Sequence, residues 1–295
     1  NMQVSISSGN TLHLDTLSIP DNNIALFENI GGKYDGILGC TIATRYITKV
    51  DFDKQVIELY SFGIYEEKKG FSIDTEFPSG VPMVRVEMKV GERTVNGNFV
   101  FDSGANYYLI AFGPFVKKHL LLTGGFVPWF TGATVSMGKS TTVFTGNFEK
   151  MKSGGIELQQ FPGVLQAHSL GSAEWDVPGN GSLGIRTMRR YNFVLDLPHR
   201  KIHFIPNKNY NLPVDFLIGD MVLSAVDAER LQIAQLVRKD EAQDLQEGDI
   251  ILSINGIKSA DLIRQPAKRK QLQSSGKKPY HIKLLRDGEE HIVAK

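Results

Sequence analysis

Hydrophobic residues in this chain alternate with polar ones over short stretches and seldom recur at helical spacing, the pattern of half-buried strands. Residues 47–52 and 192–197 each read as a strand. Each runs into a polar turn, Asp53-Lys54-Gln55 or Pro198-His199-Arg200, and a second strand follows over 56–60 or 202–205. Residues 131–164, rich in Gly, Thr and Ser, predict further hairpin strands. Beyond residue 212 the texture changes. A strand is expected over 231–237, a short helix over 240–245, and a buried strand entered through Gly248-Asp249. A tight turn at Asn255-Gly256 follows, then a helix within 261–273 and a closing hairpin, 280–285 and 291–293, around Asp287-Gly288. Asp261 is a candidate N-cap for that helix, and Pro266 fits its first turn.

The two hairpins are related. Residues 34–60 align without a gap on 179–205 at an offset of 145, with Gly36/Gly181, Leu38/Leu183, Gly39/Gly184, Arg45/Arg190, Tyr46/Tyr191, Asp51/Asp196 and Ile57/Ile202 identical. Two related lobes are therefore expected. The second is complete over about 71–210, and the first is represented only by the latter part of a lobe, residues 1–62.

The chemistry-bearing stretch is "FVFDSGANYYLI", residues 99–110, an apolar strand that meets Asp102 and breaks at Ser103-Gly104. Taken alone, Asp102 suits a turn-capping carboxylate. Phe101-Asp102-Ser103-Gly104-Ala105 resembles the hydrophobic-Asp-Thr/Ser-Gly-Ala signature of aspartic proteases, both pepsin-like and retropepsin-like. Leu183-Gly184 resembles the segment that packs beside that loop in such lobes, and Leu38-Gly39 is its first-lobe equivalent. The whole layout is similar to bacterial aspartyl-protease-family proteins with two retropepsin-like β-barrel lobes followed by a PDZ domain, here residues 213–295.

That resemblance implies a mainly β fold and an endopeptidase that uses an Asp dyad and an activated water, without a metal or other cofactor. Two carboxylates about 3 Å apart cannot both ionise, so they share one proton and act as acid and base together. Asp102 would be one member. Ser103 would hydrogen-bond within the loop, and Gly104 would leave room for backbone N–H groups to reach the carboxylate. The partner of Asp102 would fall at 102 − 145 = −43, so a preceding N-terminal segment, or another chain, is expected to supply it. Asp15 in "HLDTLS" is no substitute: Leu17 stands in the glycine place, and Asp15 lies 21 residues before Gly36 where Asp102 lies 79 before Gly181. It reads as an exposed residue on an ordinary strand.

A peptide or protein substrate would lie between the lobes under a flap drawn from 131–164. Trp129 and Phe130 would either line that cleft or join a core cluster. Alternation puts one of Tyr107 and Tyr108 in the core. The PDZ-type unit would take a peptide by strand addition, with Phe216, Leu217, Ile218 and Gly219 at the position of the loop that holds a terminal carboxylate. That loop departs from the usual Gly-apolar-Gly-apolar form. Two other readings of the whole chain remain open, a homodimeric retropepsin-type enzyme and a non-catalytic peptide-binding scaffold that keeps the fold.

Composition narrows the field. With 41% hydrophobic and 22% charged residues the chain has globular character, and a net charge of +1 gives no electrostatic case for nucleic acid. Lys268-Arg269-Lys270 reads as a solvated helix face. The single cysteine, Cys40, excludes an internal disulfide and reads as a buried thiol. No apolar run is long enough to span a membrane. Resemblance to envelope-associated bacterial proteins suggests an extracytoplasmic place, the periplasm or cell envelope. "GATVSMGKST" has the wrong glycine spacing for a phosphate loop. His199 and His203, on a turn and a strand, are not expected to meet at one ion.

Overall fold

The computed structural model describes residues 4–27, 36–63, 65–136, 139–167, 179–237, 244–275 and 279–294. The chain is mainly β, as the alternation predicts. It opens with a hairpin of β1 (Val4–Leu14) and β2 (Leu17–Phe27), turned at Asp15, whose φ is +50°. Asp15 is exposed, but it occupies the turn and not a strand. A second hairpin follows, β3 (Ile47–Asp51) and β4 (Val56–Tyr60).

The central part begins with β5 (Phe71–Asp74), β6 (Met83–Val90), β7 (Arg93–Asp102), β8 (Leu109–Ala111) and helix α1 (Gly113–Lys118). It continues with β9 (Pro128–Ser136), β10 (Lys139–Ser153), β11 (Ile156–Gln166), β12 (Gly181–Gly184), the one-turn helix α2 (Ile185–Met188), β13 (Tyr191–Asp196) and β14 (Lys201–Pro206). Strands β11, β8, β12, β7, β6 and β10 pair in that order, and β10 pairs back to β11, which closes a six-stranded barrel. Closure leaves none of the six with an open edge. Val84, Val86, Met88 and Val90 of β6, and Val95, Phe99 and Phe101 of β7, point inward at every second position and fill the barrel core. Strand β9 lies outside the ring as a hairpin partner of β10, with residues 137–138 of its turn outside the described residues.

Beneath the barrel lies a five-stranded sheet of order β4-β3-β13-β14-β5. Its central pair is antiparallel, with Lys49 opposite Val194, Val50 opposite Phe193 and Thr48 opposite Leu195. Since 49 + 145 = 194, Lys49 faces its own counterpart, and a local twofold passes between them. The two hairpins share one register, Asp51 opposite Val56 and Asp196 opposite Lys201, and their turns place Gln55 and Arg200 at φ of +59° and +53°. The N-terminal hairpin has a counterpart too. Leu14 pairs Leu17 and Val4 pairs Phe27, as Ser153 pairs Ile156 and Val143 pairs Gln166, at an offset of 139. Phe71, Phe101, Tyr191, Phe193 and Phe204 interlock edge to face and stacked where the sheet meets the barrel.

A second hydrophobic core belongs to the C-terminal unit. Its elements are β15 (Phe216–Ile218), β16 (Met221–Ala225), β17 (Leu231–Leu236), β18 (Ile250–Ile254), β19 (Ile257–Lys258), α3 (Ser259–Arg264), α4 (Pro266–Ser275), β20 (His281–Arg286) and β21 (Glu289–Ala294). The sheet order is β15-β16-β17-β18-β20-β21, with β19 beside β18. Asn255-Gly256 and Asp287-Gly288 form two-residue turns with both φ values positive, as their sequence predicts. Most of the helix expected over 240–245 lies outside the described residues.

The helix expected over 261–273 is two helices. Pro266 disfavours helical geometry at Gln265, whose φ and ψ are −121° and 93°. Asp261 is no N-cap. It sits in the first turn of α3 and accepts hydrogen bonds from Lys268 Nζ at 2.9 Å and Gln265 Nε2 at 3.3 Å. Arg269 is not on a solvated face either. Its guanidinium donates to the carbonyls of Leu262 and Ile263 at the end of α3, groups with no partner inside that helix, and lies 5.0 Å over the Phe216 ring.

Candidate active site around Asp102

Asp102 is the last residue of β7. Parallel pairing with β12 sets Leu183 opposite Phe101 and Gly184 opposite Asp102. Leu183 is fully buried and anchors this register. The loop that follows Asp102 is laced to β12 and α2 through backbone groups. Gly184 N–H donates to Tyr108 O at 3.0 Å, Ile185 N–H to Ala105 O at 2.9 Å and Arg186 N–H to Tyr107 O at 3.2 Å. The Thr187 hydroxyl adds a bond to Tyr108 O at 3.0 Å.

The carboxylate accepts the Gly104 N–H at 3.0 Å. Burial pushes the pKa of Asp102 up from the ordinary aspartate value, which makes it a weaker acid, opposed by that N–H and by the Ser182 hydroxyl. Among the described residues, no second carboxylate perturbs it. The Ser103 hydroxyl is exposed and makes no hydrogen bond among the described residues; it is the hydroxyl of Ser182, buried on β12, that favours the charged carboxylate. Ser182 also shares a 2.5 Å hydrogen bond with the Tyr107 hydroxyl, and burial pushes Tyr107 up to about 12. The signal for Ser182 lay in the alignment, where it stands at the position of Ile37 and breaks an apolar run.

The space-limited glycine is also not the expected one. A Cβ on Gly104 would lie 3.4 Å from Asp102 Oδ1, an ordinary contact, whereas one on Gly184 would run into the carbonyls of Ala105 and Tyr107. Ala105 is half-buried, and its carbonyl is what fixes the loop to α2. Tyr108 takes the core position and Tyr107 the half-buried one. Phe126 packs edge to face on Phe148 at 6.0 Å, while Trp129 and Phe130 on β9 are half-buried.

Residues 36–63 reach this site in part. Cys40, half-buried where a buried thiol is expected, lies within electrostatic range of Asp102, and burial together with that carboxylate pushes its thiol up. Leu38 and Gly39 belong to no strand, and Leu38 is 56% exposed, unlike Leu183 and Gly184 at the offset positions. Phe216, Leu217 and Ile218 form β15 and pair with β16, so they are a hairpin strand and not a loop of free N–H groups; Gly219, at φ +58°, makes the turn. His199 and His203 do approach one group. His199 Nδ1 lies 2.9 Å from both oxygens of Asp196, and His203 Nε2 lies 3.7 Å from one of them. Among the described residues no group of three or more His, Cys, Asp or Glu side chains is arranged to hold a metal ion. No helix among the described residues is long and apolar enough to cross a membrane.

No family model matches the chain, and no curated protein matches it. Among solved structures, a retropepsin-like aspartic protease from Rickettsia conorii is similar, with 14% identity and a TM-score of 0.31 over 46% of this chain and 98% of that one.

Proposed function

We propose that this chain is part of an aspartic endopeptidase, with Asp102 as one carboxylate of a proton-sharing dyad. The observation that carries the reading is a carboxylate at the end of a barrel strand, partly desolvated, bound by the Gly104 N–H and with its charge favoured by the buried Ser182 hydroxyl, in a chain with a local twofold repeat. In this reading residues 71–210 are the second lobe, 1–62 the latter part of the first, and 213–295 a PDZ-type peptide-recognition unit. The second carboxylate comes from an upstream segment of the same polypeptide, whose loop would pack against Leu38 and Gly39 as the Asp102 loop packs against Leu183 and Gly184. Exposed Ile37, Leu38 and Ile57 are apolar surface that such a segment would cover.

A water between the two carboxylates would lose its proton to one while the other protonates the scissile carbonyl. Because the pair shares one proton, cleavage should be an acid-range activity of the dyad and not of Asp102 alone. The test is peptide cleavage by this chain and by a chain extended about 60 residues upstream, the length expected to carry a second Asp loop at the repeat spacing. The extended chain should cleave, and its Asp102→Asn variant should fold without turnover. Equal cleavage by Asp102→Asn sinks the reading. The rival reading is a non-catalytic peptide-binding scaffold that keeps the fold. An extended chain that binds peptides and never cuts them would establish it.

A further inference from the structure

Asp215 is a buried acid that the dyad does not use. It opens the C-terminal unit, immediately before β15, and its side chain is 1% exposed. Its partners lie on the barrel side. The Tyr108 hydroxyl donates to Asp215 Oδ1 at 2.8 Å and accepts the Asp215 N–H at 3.0 Å. Arg186 Nη1 on α2 forms an ion pair with Asp215 Oδ2, and Arg186 Nε donates to Asn106 Oδ1 at 3.0 Å. Asn106 and Tyr108 both belong to the segment that carries Asp102 into β8. Two of its side chains therefore end on one ion pair whose acid comes from the C-terminal unit.

We infer that Arg186 and Asp215 form a clamp through which the C-terminal unit positions the Asp102 loop. Asn106 is neutral and cannot balance the guanidinium, so with Asp215 displaced a largely buried cation would stand unpaired beside the loop, an arrangement that buried charges avoid. Arg186 would then turn toward water and release Asn106, and Tyr108 would lose both of its bonds to Asp215. Strand β15 itself is held on the C-terminal side, where Gln273 Nε2 donates to Leu217 O at 2.8 Å and Arg269 covers Phe216. A shift of β15 is thus passed to Asp215 and on to the loop. Arg186 is a positioning residue in this scheme, acting on Asp102 through Asn106 and the loop backbone.

The importance of the clamp rests on the dyad reading, but its test does not require cleavage. Amide hydrogen exchange over 105–108 and the titration of the Asp102 carboxyl by carbon-13 NMR are measured in the full chain. Asp215→Asn and Arg186→Gln should each speed loop exchange at least tenfold. Each should also move the Asp102 midpoint upward by about half a unit as the Gly104 N–H bond loosens. Ser224→Ala, which removes the hydroxyl that Arg189 reaches in the same interface, should change neither. If the charge variants do not fold, Tyr108→Phe decides the matter, since it removes one hydroxyl and should still speed loop exchange about threefold. Wild-type exchange and an unmoved Asp102 titration in the folded variants overturn the clamp. An inactive extended chain with a coupled loop would overturn the protease reading and leave the clamp standing.

Discussion

Gly184→Ala tests the packing on which the whole site depends. The glycine faces Asp102 across the β12–β7 ladder, and its φ of −96° is open to any residue, so the substitution probes space and not backbone strain. A Cβ there would sit 2.7 Å from the Ala105 carbonyl, 2.8 Å from a Tyr107 ring carbon, and closer still to the Tyr107 carbonyl. The ring can swing aside. The carbonyls cannot, because each accepts a backbone hydrogen bond from α2, at 2.9 and 3.2 Å. Overpacking costs about 1–3 kcal/mol, and each backbone bond that stretches costs about 1 kcal/mol more. The expected loss is therefore about 3–5 kcal/mol, or roughly 6–20 °C in Tm for a unit of this size. Gly104→Ala is the internal comparison, because its Cβ meets Asp102 Oδ1 at an ordinary 3.4 Å, and a change within about 0.5 kcal/mol is expected. Urea denaturation followed by circular dichroism, with calorimetry alongside, measures both. A Gly184→Ala protein within about 0.5 kcal/mol of wild type, or a Gly104→Ala protein equally damaged, refutes the assignment of the tight approach to Gly184.

Three further outcomes are expected. Burial raises the folded-state pKa of Asp102 above its unfolded value, so its contribution to stability is complete in acid and is lost as pH rises through the folded value; Asp102→Asn should be more stable than wild type at pH 7, with the gap closing as the pH falls below the ordinary aspartate range in a pH series of urea midpoints. Phe204→Ala removes a fully buried ring that touches Phe71, Phe101, Tyr191 and Phe193 and should cost about 3–5 kcal/mol in the same denaturation assay. Asp249 is bound by Arg286 through two nitrogens at 2.7 and 2.6 Å and is 2% exposed, so Asp249→Ala should cost about 3–5 kcal/mol, seen as faster amide exchange confined to 216–294.

The hairpins, their turns and the position of Asp102 were legible in the linear order of residues because each is a local matter. Strand alternation has a period of two, and Asp-Gly or Asn-Gly turns carry their own backbone preference. The offset of 145 was visible in seven identities, and it recurs as the register that sets Lys49 against Val194. Even the Asp51/Asp196 identity has a local cause in part, since Asp51 accepts the N–H groups of Asp53 and Lys54 in its turn and Asp196 accepts that of His199. The offset of 139 that relates the N-terminal hairpin to β10–β11 was not legible, because it resides in ladder register and not in shared residue types.

Which groups hold Asp102 was decided only by tertiary structure. Ser103 is adjacent in sequence yet points to solvent, whereas Ser182, 80 positions away, reaches the carboxylate because β12 runs parallel to β7. Gly184 and Asp215 acquire their meaning the same way, from backbone and side chains that the ladder and the C-terminal unit bring close. Phe216, Leu217 and Ile218 read as a loop by motif and fold as a strand, because β16 offers them an edge to pair with. A residue's own conformational preference is written within a few neighbours of it. Its desolvation, its partners and its room are set by whatever the fold packs against it, and for Asp102 those neighbours come from distant parts of the chain.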